Sequence, residues 1–172
     1  MNETLKWFHD LKAHPLIMDW SVDRVPQYIS QLRERLGCGE KDLDLSPRSL
    51  RKLEAKLVPL LQAVQEGRAP MDDDEKLHIL RGLTAYLGQV LVENLDGKWS
   101  TVGRTLNSTG IVLYESEVLE HLRHRGVTYG VITWSCAFFD LVRSGQAEGS
   151  LLKEYQRLKR GKKIKARKER GA

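Results

Sequence analysis

GLTAYLGQVLVENLDGKWS, residues 82–100, is the stretch whose reading decides the fold of this chain. Together with the residues before it, it spaces Leu77, Leu80, Leu83, Leu87, Val90 and Leu91 at the 3.6-residue period of an α-helix. Asp72 followed by Glu75 resembles a capping box, and Asp73, Asp74 and Glu75 suit the positive end of a helix dipole. The spacing predicts a helix from Asp72 to about Asn94. Gly82 and Gly88 interrupt it, and each costs about 1 kcal/mol relative to alanine inside a helix. Close approach of another element is the usual reason for such a cost. Six residues separate the two glycines, so they lie about 120° apart around the axis. They are expected to admit two different neighbours, which makes this the central helix. Asp96-Gly97 then reads as a turn that delivers Trp99 to a first strand.

On the N-terminal side, residues 3–13 read as a helix with Leu5, Trp7, Phe8 and Leu11 toward the core, ended by His14-Pro15. Asp23 is expected to cap a helix over 24–36, with Val25, Ile29, Leu32 and Leu36 in register and Pro26 in its first turn. Gly37-Cys38-Gly39 closes it. Ser46 as cap and Pro47 at the first position open a further helix, whose stripe is Leu50, Leu53, Leu57, Leu60, Leu61 and Val64. Pro59 lies in that stripe and is expected to kink or split the helix.

After Trp99 the period changes. KWSTVGR (98–104), GIVLYES (110–116) and VTYGVITW (127–134) read as strands, with a short helix expected within 117–125. CAFFDLVRSG (136–145) and SLLKEYQRLKR (150–160) read as helices, the latter burying Leu151, Leu152, Tyr155 and Leu158. The expected architecture is α+β: four N-terminal helices, a small antiparallel sheet of about three strands, then one or two C-terminal helices and a basic tail. Residues 1–160 form one domain in this reading. Residues 161–172 form a basic tail whose composition suggests disorder.

At 172 residues, with 41% hydrophobic and 30% charged residues, the chain can bury a core without disulfides or a metal. No apolar run approaches the roughly 20 residues that span a bilayer, and the N-terminus lacks a leader pattern, so the expectation is a cytoplasmic protein with no membrane partner. The two cysteines, Cys38 and Cys136, show no metal-ligand spacing and are expected to be free thiols. His121 and His124 are placed to share a helix face, but without the spacing of a known metal motif. The acidic cluster 72–75 lacks the alternation of a calcium loop. No nucleophile elbow or phosphate-cradling glycine loop occurs. Cys136 has two readings: a buried core cysteine, or a thiol activated at a helix N-terminus just after a strand. The sequence thus points to no catalytic residue, metal or cofactor.

The net charge of +5 hides a division. Residues 151–172 carry +8, and the remaining 150 residues carry −3. Basic character therefore resides at the C-terminal end, in Lys159, Arg160, Lys162, Lys163, Lys165, Arg167, Lys168 and Arg170. Closely spaced cations can neutralise phosphates and release counterions. Three functions stay open. The first is a non-enzymatic protein-interaction domain of immunity or regulatory type. The second is a nucleic-acid-associated protein that uses the basic end. The third is a small enzyme with a pocket between the central helix and the sheet, using Cys136, His121 or His124.

DLSPRSLRKLEAKL (44–57) followed by AYLGQVLVENLDGKW (85–99) resembles a pattern of small uncharacterised bacterial proteins. Their pattern is a Ser-Pro-x-Ser-Leu helix start and, downstream, Tyr-Leu-Gly-x-Val-Leu-x-x-Asn-Leu-x-Gly-x-Trp. The resemblance spans residues 40–160 but rests on these two segments. It implies a bacterial cytoplasmic α+β domain and carries no catalytic residue with it.

Overall fold

Caps and close contacts set the element boundaries in the computed structural model, which describes residues 3–100, 105–106, 110–113 and 128–170, with 128–129 and 164–170 in backbone only. Helix α1 (Glu3–Asp10) stops earlier than its period suggested. His14 does more than end it. The His14 Nδ1 accepts from the Leu16 amide at 3.2 Å and caps a short second helix, α2 (Pro15–Met18). Asp23 is not a helix cap. It lies in a 3₁₀ turn, Val22–Arg24, and α3 (Val25–Arg35) begins directly behind that turn without a side-chain cap. The turn already supplies carbonyls in helical geometry, so the cap is dispensable.

Helix α4 (Ser49–Gln65) starts three residues beyond Ser46. Ser46 still holds the entry turn, because its Oγ accepts from the Ser49 amide at 3.3 Å. Pro59 does not split α4, which runs through it as one helix. Leu50, Leu53 and Leu57, all fully buried, hold the segment before it. Leu45, ahead of this turn, has φ +64°, which costs a branched residue energy. It is held from both sides. Its amide donates to the Tyr86 hydroxyl at 3.1 Å, and its carbonyl accepts from Asn94 Nδ2 at 2.8 Å.

Both residues belong to α5 (Asp73–Leu95), the central helix. Asp72 caps it, accepting from the Glu75 amide at 2.8 Å. From Leu77 to Leu91 almost every residue is buried, and α2, α3 and α6 pack around it. The two glycines are notches for different neighbours. A Cβ on Gly82 would meet Leu32 Cβ at 2.8 Å and the Tyr28 carbonyl at 3.2 Å, both on α3. A Cβ on Gly88 would meet Trp99 Cη2 at 2.1 Å. The helix ends at Asp96 in the left-handed region (φ 51°). Gly97 is required instead by crowding, since a Cβ there would lie 2.6 Å from Ile111 Cγ2.

Among the described residues the sheet is far smaller than the sequence suggested; 101–104, 114–116 and 127 of the expected strands lie outside them. Strands β1 (Lys98–Trp99), β2 (Ile111–Val112) and β3 (Thr128–Tyr129) run antiparallel in that spatial order. Trp99 faces Ile111, which faces Tyr129. The expected strand over 127–134 is wrong in its second half. Gly130 caps α6 (Val131–Arg143), so Val131, Ile132 and Trp134 are helical. Burial against α5 overrides their β propensity, and Thr84 and Ser135 meet across that seam at 2.9 Å. Five α-helices and a 3₁₀ turn precede the sheet rather than four helices. The class is mostly helical α+β. Finally α7 (Ser150–Arg170) continues as helix through the segment expected to be disordered. The short helix expected within 117–125 lies outside the described residues.

Candidate functional site: the basic helix α7

Helix α7 begins where a carboxylate from another helix waits for it. Glu54, on α4 and 8% exposed, accepts from the amides of Gly149 and Leu151, the latter at 3.3 Å. Those amides have no helical partner of their own, and the carboxylate also complements the positive helix end. Leu151, Tyr155 and Leu158 then bury one face of α7 at helical spacing. Burial pushes the Tyr155 phenol above its ordinary value.

Past Leu158 the character of the helix changes. Lys159, Arg160 and Lys163 are exposed. Lys162 turns back to the body, donating to the Leu95 carbonyl and lying 3.4 Å from Asp96 Oδ2. It thereby anchors α7 to the C-terminal end of α5, where carbonyls are left over. Lys165, Arg167, Lys168 and Arg170 lie on the same helical backbone. The structure thus brings all eight basic residues onto one helix, with Lys162 serving as an internal tie. At 21 residues, α7 is about 30 Å long.

The other candidates are used structurally. Asp72 caps α5, Asp73 accepts from Trp7 Nε1 at 3.2 Å, Asp74 lies 2.9 Å from His14 Nε2, and Glu75 pairs with Arg35 at 3.0 Å. Among the described residues no group of three or more His, Cys, Asp or Glu is arranged to hold a metal. His121 and His124 lie outside the described residues. Cys136 corrects the strand-to-helix reading. It sits in the second turn of α6, fully buried, and burial followed by the charge of Asp140 pushes its thiol up to about 12. Such a thiol is not an activated nucleophile. Both cysteines are free. The seam between α5 and the sheet is filled at Gly88–Trp99 and Gly97–Ile111, where the enzyme reading needed a pocket. A cleft of about 400 Å³ lies instead between α1, α4 and α6, lined by Trp7, Leu61, Val64, Phe139 and Arg143.

Two residues were missed. Glu54 looks like one more surface charge on α4, and its partners lie far along the chain. Arg81 had a visible signal, a lone charge inside the apolar run LHILRGLTAYLG. Among the described residues no helix is long and apolar enough to cross a membrane. In comparisons with family models, curated proteins and solved structures, the chain matches none.

Proposed function

We propose that the protein is a non-enzymatic binding module that contacts nucleic-acid phosphates through the C-terminal half of α7. One observation carries the reading. The cations 159–170 continue a helix whose root is fixed by Glu54, Leu151, Tyr155 and Leu158, while the rest of the chain is net acidic. A helix rooted in a folded body presents its charges with less ordering cost than a coil would. The acidic body repels the phosphates, so contact is confined to the arm. No aromatic follows Tyr155, and Tyr155 is buried, which favours backbone contact over base stacking.

The test is anisotropy of a labelled duplex of about twenty base pairs at low salt, a length that offers more phosphates than the arm can contact. Replacing Lys159, Arg160 and Lys163 by Gln should weaken binding at least about tenfold. Unchanged affinity, or a wild-type chain that does not bind, would overturn the reading.

A protein partner of immunity or regulatory type is the second reading. The cleft beside Trp7 favours it, because it offers an apolar socket to one anchoring side chain. Trp7→Arg should then abolish the partner complex while leaving duplex binding intact. Loss of neither, or of both, would count against a partner at this cleft.

A further inference from the structure

Arg81 is charged and 3% exposed, and among the described residues no carboxylate hydrogen-bonds or ion-pairs with it. Its Nη2 donates to His78 Nδ1 at 3.3 Å, and its guanidinium carbon lies 4.5 Å from the centre of the Tyr28 ring. Arginine keeps its proton in proteins, so burial cannot be relieved by neutralisation. A buried charge ordinarily has a paired carboxylate, because its desolvation is otherwise uncompensated. The neighbouring charges are already taken: Arg24 forms a two-pronged contact with Asp19 (2.8 and 2.7 Å), Arg35 is held by Glu75, and Asp19 reaches Arg81 only through its charge.

The donor inventory is equally one-sided. Because arginine only donates, His78 Nδ1 must accept, which puts the imidazole proton on Nε2 and makes that atom a donor too. Trp20, stacked on Tyr28 at 4.9 Å, has a buried Nε1 with no acceptor. Among the described residues Arg81 Nε and Nη1 have no acceptor either, and neither is sealed from solvent. Among the described residues the seam between α3 and α5 therefore leaves N–H donors of Trp20 and Arg81 without acceptors.

We infer that the Arg81 guanidinium, steadied by His78 Nδ1 and the Tyr28 ring, is a binding site for a small oxyanion, the phosphate or carboxylate end of a ligand. The planar guanidinium offers two parallel N–H groups to such a group, and the aromatic face of Tyr28 fixes its plane. The site involves none of the residues of α7, so it stands or falls independently of the polyanion reading.

The experiment titrates inorganic phosphate, and acetate in a second arm, into the full chain at constant ionic strength. The readouts are tryptophan fluorescence, reported by Trp20, and the melting temperature. A saturable change in both is expected in at least one arm; response to phosphate alone identifies a phosphate site, and response to acetate alone a carboxylate site. The apparent affinity should fall at least about tenfold in Arg81→Met and partly recover in Arg81→Lys. A chain ending at Arg160 should keep the response, which separates the site from the lysines of α7. If Arg81→Met does not fold, His78→Phe replaces it and should weaken the response by releasing the Arg81 Nη2 that His78 Nδ1 holds. No saturable response from the wild type, an unchanged response in the variants, or a response lost on removing residues 161–172 would each overturn the inference.

Discussion

Gly88→Ala should destabilise the protein, although alanine is the better helix former. The new Cβ would lie 2.1 Å from Trp99 Cη2, 2.6 Å from Cζ2 and 2.8 Å from Cζ3. Ordinary carbon–carbon contact is about 3.5–4.0 Å, so the indole must retreat. Retreat pulls Trp99 Nε1 from Gln89 Oε1, now at 3.1 Å, and disturbs the tilted contact with Trp20 at 6.0 Å. Overpacking of this kind costs about 1–3 kcal/mol, and a lost hydrogen bond about 1 kcal/mol. The gain in helix propensity returns roughly 1 kcal/mol. The expected net loss is about 1–3 kcal/mol, read from urea unfolding followed by far-UV circular dichroism. The decisive comparison is the same substitution in a Trp99→Ala background. There the clash is gone and Gly88→Ala should stabilise by about 0.5–1 kcal/mol. A Gly88→Ala effect of the same sign and size in both backgrounds would refute the claim that the glycine exists to seat Trp99.

Tyr86→Phe should cost about 1–3 kcal/mol, because it strands the Leu45 amide, takes from the buried Ser49 hydroxyl one of its two partners (the Ser46 carbonyl, at 2.6 Å, remains), and releases a loop held at positive φ; an effect near zero in urea unfolding would contradict that account. Glu54→Ala should cost about 1–3 kcal/mol and reduce amide-exchange protection in the first turn of α7, whereas protection unchanged at Leu151 would show that the carboxylate does not seat the helix. Burial, then the charges of Arg35 and Arg81, hold the His78 imidazole below its ordinary value. The unfolded chain therefore binds more protons there. Stability from neutral His78 is full above the ordinary value of about 6.5 and is lost as pH falls through and below it. His78→Gln should flatten the rise of melting temperature with pH between about 5 and 7, and an unchanged slope would contradict the assignment.

The central helix was legible because its signals are local. Asp72 caps within three residues, the leucine period runs unbroken, and the two glycines advertise neighbours without naming them. The identity of those neighbours, Leu32 and Trp99, depends on packing between distant segments and was not legible. VTYGVITW misled because β-branched residues suit a buried helix face once Gly130 has capped it. The helical backbone of the lysine-rich end up to Arg170 was not legible either. Composition alone argues against a packed core there, yet Lys and Arg are good helix formers, and α7 is already nucleated by its buried root. The basic residues of the candidate interface could be read from the sequence. Their common helix, its seat on Glu54 and the tie through Lys162 could not.

The most direct test of the polyanion reading is the salt dependence of duplex binding by the full chain and by a chain ending at Arg160. Each phosphate neutralised contributes about 0.9 to the slope of log affinity against log salt. The truncation removes Lys162, Lys163, Lys165, Arg167, Lys168 and Arg170. Lys162 is turned to the body, so at most five of these reach phosphates, and the slope should fall by about 3–4.5. Equal slopes for the two chains would place the contact elsewhere and contradict the assignment of α7.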